Sequence, residues 1–117
     1  LTQELAARVL KDTFAANRVV PITIARIQDV VADHYGIRPT EMKARKRTRA
    51  IAFPRQVAMY LARELTDASL PKIGEEFGGR DHSTVVHAHN KISEDLTRDF
   101  GLSATLRALT DQLRNGK

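Results

Sequence analysis

The sequence predicts an all-α domain built around a helix-turn-helix. Three observations carry that reading. Apolar residues recur at helical spacing in segment after segment, and no stretch alternates apolar and polar residues for long enough to make a strand. A Gly78-Gly79 pair separates a short helical pattern from a longer one. At 117 residues the chain has room for one domain with a modest core, plus a short appended segment.

The elements follow in order. From Leu1 to about Ala16, the residues Leu1, Leu5, Ala6, Val9, Leu10 and Phe14 make a helix with a broad apolar surface, ended by Asn17 and Pro21. A second helix starts near Thr23, a good N-cap, carries Ile24, Ile27, Val30, Val31 and Tyr35 on one side, and stops at Gly36. Pro39-Thr40-Glu41-Met42 makes one helical turn, and the basic stretch Lys43–Arg49 is a loop or a helix edge. Pro54 is expected to start or kink a long helix through about Thr66, with Val57, Ala58, Leu61, Ala62 and Leu65 buried. Ser69-Leu70-Pro71 opens a short helix holding Ile73 and Phe77, which Gly78-Gly79 breaks. A longer helix then runs from near Asp81 to about Phe100, where Gly101 is expected to stop it, and Leu102–Leu113 makes the last amphipathic helix.

Composition narrows the function. Zero cysteines exclude disulfides and cysteine-ligated zinc and fit a reducing cytoplasm. No apolar run approaches the roughly 20 residues of a membrane span, and the N-terminus has no signal-peptide core. The chain starts without methionine, as expected of a segment of a longer protein. The net charge of +5 is unevenly placed. Arg38, Lys43, Arg45, Lys46, Arg47, Arg49, Arg55 and Arg63 face Glu41 alone, so residues 38–63 carry +7 and the remainder −2. Such a local field suits a polyanion. A solvated basic loop, or a patch for acidic lipid, has the same charge.

A helix-turn-helix aims the first turn of its second helix at base edges, and here that turn reads Asp81-His82-Ser83-Thr84. At about 100° per residue, Val85, Ala88, Ile92 and Leu96 form one stripe, and Ser83, Thr84, His87, Asn90 and Lys91 lie opposite. Groups of the second kind can read bases and phosphates, although an ordinary surface helix shares the outline. Asp81 has two explanations: it caps the helix, the simpler one, or it accepts from a cytosine amino group. Catalytic and metal readings fare worse. Gly74 to Gly79 fits G-x-x-x-x-G, but Arg80-Asp81 stands where a phosphate loop needs Lys followed by Ser or Thr, and no strand precedes it. On a helix His87 and His89 point about 200° apart, and His82 and His89 are separated by about 10.5 Å of rise, too far for one ion.

The string Gly78-Gly79-Arg80-Asp81-His82-Ser83-Thr84-Val85, preceded by Ser69-Leu70-Pro71-Lys72-Ile73-Gly74, closely resembles the C-terminal DNA-binding domain of the DnaA family of bacterial replication initiators. The likeness extends through Pro54-Arg55-Gln56, Ala62-Arg63-Glu64-Leu65-Thr66 and the basic loop Arg45–Arg49, covering about Ile22 to Lys91. It implies binding to short asymmetric origin repeats, the DnaA boxes, by a domain at residues 21–117, with residues 1–20 as a connector helix. It also implies an upstream ATP-binding domain, absent from this chain, through which the full-length initiator assembles on the origin in the nucleoid. No cofactor or metal is then expected here, no catalysis, and a monomer, because a DnaA box is not a palindrome. By the same resemblance Arg47 enters the minor groove, and Asp81, His82 and Ser83 lie at major-groove bases. Leu70 and Pro71 lie near DNA, and Arg55, Gln56, Arg63, Thr84, His87 and Lys91 make backbone or nearby contacts. The family usually has Thr where this chain has Ser83, which keeps the hydroxyl and loses a methyl that could touch a thymine methyl. The rival to DNA binding is a basic helical module that binds other proteins.

Overall fold

A computed structural model of the chain describes residues 21–45 and 48–115. The predicted helix from Leu1 to about Ala16, the connector assigned to residues 1–20, and Lys46 and Arg47 of the basic loop lie outside the described residues. The described elements are all helical: α1 (Ile24–Tyr35), a 3₁₀ turn (Pro39–Lys43), α2 (Arg49–Leu65), α3 (Leu70–Glu76), α4 (His82–Leu96) and α5 (Phe100–Asn115).

Helix α2 is the central post, with α1, α3 and α4 packed around it, and α5 closes the side formed by α1 and α4. Ile27, Val31, Met42, Val57, Ile73, Phe77, Val85, Ile92 and Leu113 are fully buried where these helices meet. Local chemistry starts and stops most of them. Thr23 Oγ1 accepts from the Arg26 N–H at 3.1 Å to open α1, and the Gly36 N–H closes it on the Ala32 and Asp33 carbonyls. Ser69 Oγ accepts from the Lys72 N–H at 3.2 Å to open α3.

Two side chains of α1 then close the ends of other helices. Buried Gln28 donates its amide to the Glu76 carbonyl at 2.8 Å, at the end of α3. Arg26 donates to the carbonyls of Leu113 and Gln112, at the end of α5. A cation there also meets the negative end of the helix dipole. These bonds satisfy polar groups that would be costly to leave unpaired between packed helices.

Two boundaries differ from the sequence reading, and a third settles an alternative that it left open. Helix α2 begins at Arg49, so of the two places expected for Pro54, at the start of the helix or at a kink within it, the interior one is found. The Thr48 carbonyl accepts from the Ile51 and Ala52 N–H groups, and Phe53 packs edge-on against Tyr35 of α1 at 6.0 Å between centroids. Tertiary packing of this added turn outweighs the hydrogen bond that Pro54 cannot make. Helix α4 ends at Leu96 rather than near Phe100, and Gly101 lies in the first turn of α5 instead of stopping a helix. Asp99 Oδ1 accepts from the Leu102 N–H at 3.0 Å, so an acidic cap starts α5 just before the glycine.

The turn between α3 and α4 is the tightest place in the fold. The Arg80 N–H donates to the Gly74 carbonyl at 2.9 Å, and a Cβ on Gly74 would run into the Arg80 carbonyl. Gly78 follows at φ 90°, in the left-handed region, with the space for a Cβ occupied by the backbone of Lys43. Gly74→Ala is therefore expected to lower the free energy of unfolding by about 1–3 kcal/mol, the usual scale of overpacking. Urea denaturation read by circular dichroism, with an unchanged slope, checks it.

Candidate nucleic-acid interface

The turn sets the pose of α4. Val85, Ala88 and Ile92 are buried and Leu96 is half-buried, whereas His82, Ser83, Thr84, His87, Asn90 and Lys91 are exposed. The two faces expected from helical periodicity are therefore the two faces found. The N-cap position falls to Asp81, with extended backbone at φ −64° and ψ 151°, but its carboxylate makes no capping hydrogen bond. Only the backbone carbonyl of Asp81 engages the helix, accepting from the Thr84 N–H at 3.0 Å. Capping by the side chain, the simpler explanation of this acid, does not hold, and the carboxylate stands exposed at the front of α4.

Between α4 and α2 runs a groove of about 620 Å³. Of the expected contact residues, Arg55 and Gln56 line it from α2, and Thr84, His87 and Lys91 line it from α4. Asp81, His82 and Ser83 stand exposed at the leading end of α4 without lining the groove. Leu70 is half-buried and Pro71 exposed at the start of α3, and Arg63 is exposed on α2 outside the groove. Arg47 lies outside the described residues. The groove also brings in Arg80 and Asn90, which sequence reasoning had not placed at the site. Asn90 was legible in the polar face of α4. The position of Arg80 depends on a contact across 36 residues, which no local pattern encodes.

Arg55 is 5% exposed, and its Nη1 donates to the Ala44 carbonyl at 3.1 Å. Arg80 reaches the same carbonyl through Nη2 at 2.6 Å and donates from Nε to the Phe77 carbonyl at 3.0 Å. Burial first, and the neighbouring Arg80 guanidinium second, pull the Arg55 pKa below the ordinary arginine range. Two cations thus converge under one end of the groove. Lys91, on the outer face of α4, pairs with Asp95 at 3.0 Å, an exposed i,i+4 pair that a polyanion can compete for.

Behind α4 the chemistry changes. His89 meets Glu64 of α2 at 2.7 Å and stacks on Tyr60, with ring centroids 4.9 Å apart. This cluster ties α4 to α2, and it accounts for one of the three histidines that lie close in sequence. Among the described residues no group of three or more metal-ligating side chains converges, and no helix is long and apolar enough to cross a membrane.

The family described as the bacterial DnaA protein helix-turn-helix matches residues 24–92, from the start of α1 to the last buried residue of α4. The chain belongs to that family. It is 55% identical over 114 residues to the chromosomal replication initiator protein DnaA of Symbiobacterium thermophilum, covering 97% of this chain and 25% of the relative. A crystal structure of a DNA replication initiation factor superposes on 80% of the chain with a TM-score of 0.72 and 29% identity, over 28% of that protein. The chain thus spans about a quarter of the length of these relatives. The region matched by the family contains the glycine turn, the groove apart from Glu94, and the Ala44 carbonyl with both of its arginines.

The cluster behind α4 yields a pH dependence. Burial first, and the Glu64 carboxylate second, raise the pKa of the Tyr60 phenol above its ordinary value of about 10. The folded domain then holds this proton more tightly than the unfolded chain. The resulting stability is fully present below the unfolded value and is lost as pH rises through the higher folded value. Tyr60→Phe is expected to make the alkaline fall in stability shallower. The remainder comes in part from Tyr35, whose phenol is raised by burial and then by Asp99. Urea melts at a series of pH values from neutrality upward measure it.

Proposed function

We propose that this domain binds duplex DNA in a sequence-specific manner, at the origin repeats called DnaA boxes, in the initiation of bacterial chromosome replication. The observation that carries the reading is the exposed polar start of α4 beside a groove lined by Arg55, Gln56, Arg80 and Lys91, in a chain of the DnaA helix-turn-helix family. His82 and Ser83 read base edges in the major groove, with Asp81 able to accept from a cytosine amino group. Thr84, His87, Gln56, Arg63 and Lys91 make backbone or nearby contacts, Leu70 and Pro71 approach the duplex at the start of α3, and Arg47 enters the minor groove. Arg55 serves by holding the Ala44 carbonyl at the end of the 3₁₀ turn. Residues 1–20 connect this domain to an upstream ATP-binding domain in the full-length protein, which oligomerises on the origin in the nucleoid. The separate domain is a monomer and needs no cofactor.

Two experiments test the reading, both as titrations of the domain with a DnaA-box duplex and a scrambled duplex. His82→Ala should lower the ratio of box to scrambled binding by roughly tenfold, whereas Lys91→Ala should weaken both duplexes nearly equally. Equal proportional losses in the two folded variants would remove α4 as the reader. Arg47→Ala should weaken box binding by about 1–3 kcal/mol, the scale of one specific base contact. Arg45→Ala should cost less and chiefly flatten the salt dependence. Box affinity unchanged by Arg47→Ala at physiological salt would end the minor-groove assignment. A domain that binds neither duplex but retains a protein partner would be the basic interaction module instead.

A further inference from the structure

We infer that Arg80 is a positioning residue that sets the register between the leading end of α4 and the end of the 3₁₀ turn at Ala44. The inference rests on the DNA-binding reading above and deepens it. Arg80 lies in the turn just before α4, half-buried, and it faces inward with two of its nitrogens. Nε donates to the Phe77 carbonyl at 3.0 Å, and Nη2 donates to the Ala44 carbonyl at 2.6 Å. Its own backbone N–H is held by the Gly74 carbonyl at 2.9 Å. Ala44 ends the 3₁₀ turn and is followed at once by the basic residues 45–49.

Two further contacts make this a joint rather than a single bond. Arg55 of α2 donates to the same Ala44 carbonyl at 3.1 Å, so one oxygen gathers cations from α2 and from the helix-turn-helix turn. One residue earlier, the backbone of Lys43 lies against Gly78 so closely that no Cβ would fit between them. The root of the basic loop is therefore seated on the turn that aims α4. Base contacts require side chains held within about half an ångström, whereas attraction to phosphates tolerates displacement. Loosening this joint should consequently degrade discrimination between sequences more than general affinity for DNA.

The test compares the wild-type domain with Arg80→Ala and Arg80→Lys, each checked for folding by circular dichroism. Each is titrated with the box and the scrambled duplex at fixed salt. Both Arg80 variants are expected to lower the box-to-scrambled ratio by about tenfold. Lys should fail to rescue, because one ammonium cannot replace two nitrogens that reach separate carbonyls. Should Arg80→Ala not fold, Arg80→Lys, which keeps the charge, carries the same comparison. Equal losses on both duplexes with rescue by Lys would make Arg80 a phosphate contact and overturn the inference. An unchanged ratio in folded Arg80 variants would overturn it too. A wild-type domain that does not discriminate between the duplexes fails earlier, at the function on which the inference stands.

Discussion

The fold turns on the approach of the backbone at Arg80 to the backbone at Gly74. The hydrogen bond between them brings the end of α3 back onto the start of α4, and it forms because Gly74 presents no side chain to the Arg80 carbonyl. With that distance set, Ile73 and Phe77 from α3 and Val85 from α4 share one fully buried region. The opposite face of α4 is left to solvent along its length, from His82 to Lys91. The exposure of the polar face is thus a consequence of a backbone contact in which no polar face residue takes part.

Around that contact the domain repeatedly uses side chains to complete backbone groups of distant elements. Gln28 serves the end of α3, Arg26 the end of α5, and Arg55 together with Arg80 the Ala44 carbonyl. Each bond joins two elements, far apart in the chain for Gln28, Arg26 and Arg80 and consecutive for Arg55, and fixes a position as well as satisfying a carbonyl. The arginine pair is the costly member. Burying one guanidinium beside another disfavours the charged form, which is the direction in which Arg55 is shifted. It also means that the charge of residues 38–63 is not all surface charge. Arg55 is buried, so its charge acts at the floor of the groove rather than on the exposed rim.

The cluster behind α4 complements this arrangement. His89 is on the same helix as His87, yet it turns to Glu64 and Tyr60 of α2 while His87 faces the groove. Alternate residues of one helix therefore hold the helix in place and present its outer surface. The phenol of Tyr60, raised by burial and by Glu64, is the titratable record of that packing.

How much of this was legible in the sequence depends on the range of the interaction involved. Local chemistry was readable where a cap or a period decides the outcome: Thr23 and Gly36 bounding α1, Ser69 opening α3, and the stripe Val85, Ala88 and Ile92 opposite Thr84, His87 and Lys91. The motif around Gly78-Gly79 likewise pointed to its family from residue identities alone. Boundaries were not legible where a local signal met a competing one. Of the two places open to Pro54, packing of Phe53 on Tyr35 selects the interior of α2 over its start, and Gly101 did not end a helix, because the carboxylate of Asp99 had just started one. The candidate site was legible as a set of polar residues, but not as a geometry. That Arg55 is buried, that Asp81 leaves the helix end uncapped by its side chain, and that Arg80 reaches Ala44 are outcomes of long-range packing. A sequence determines which donors and periodicities exist, but only the folded chain decides which distant carbonyl each donor meets, because that distance is set by every helix lying between them.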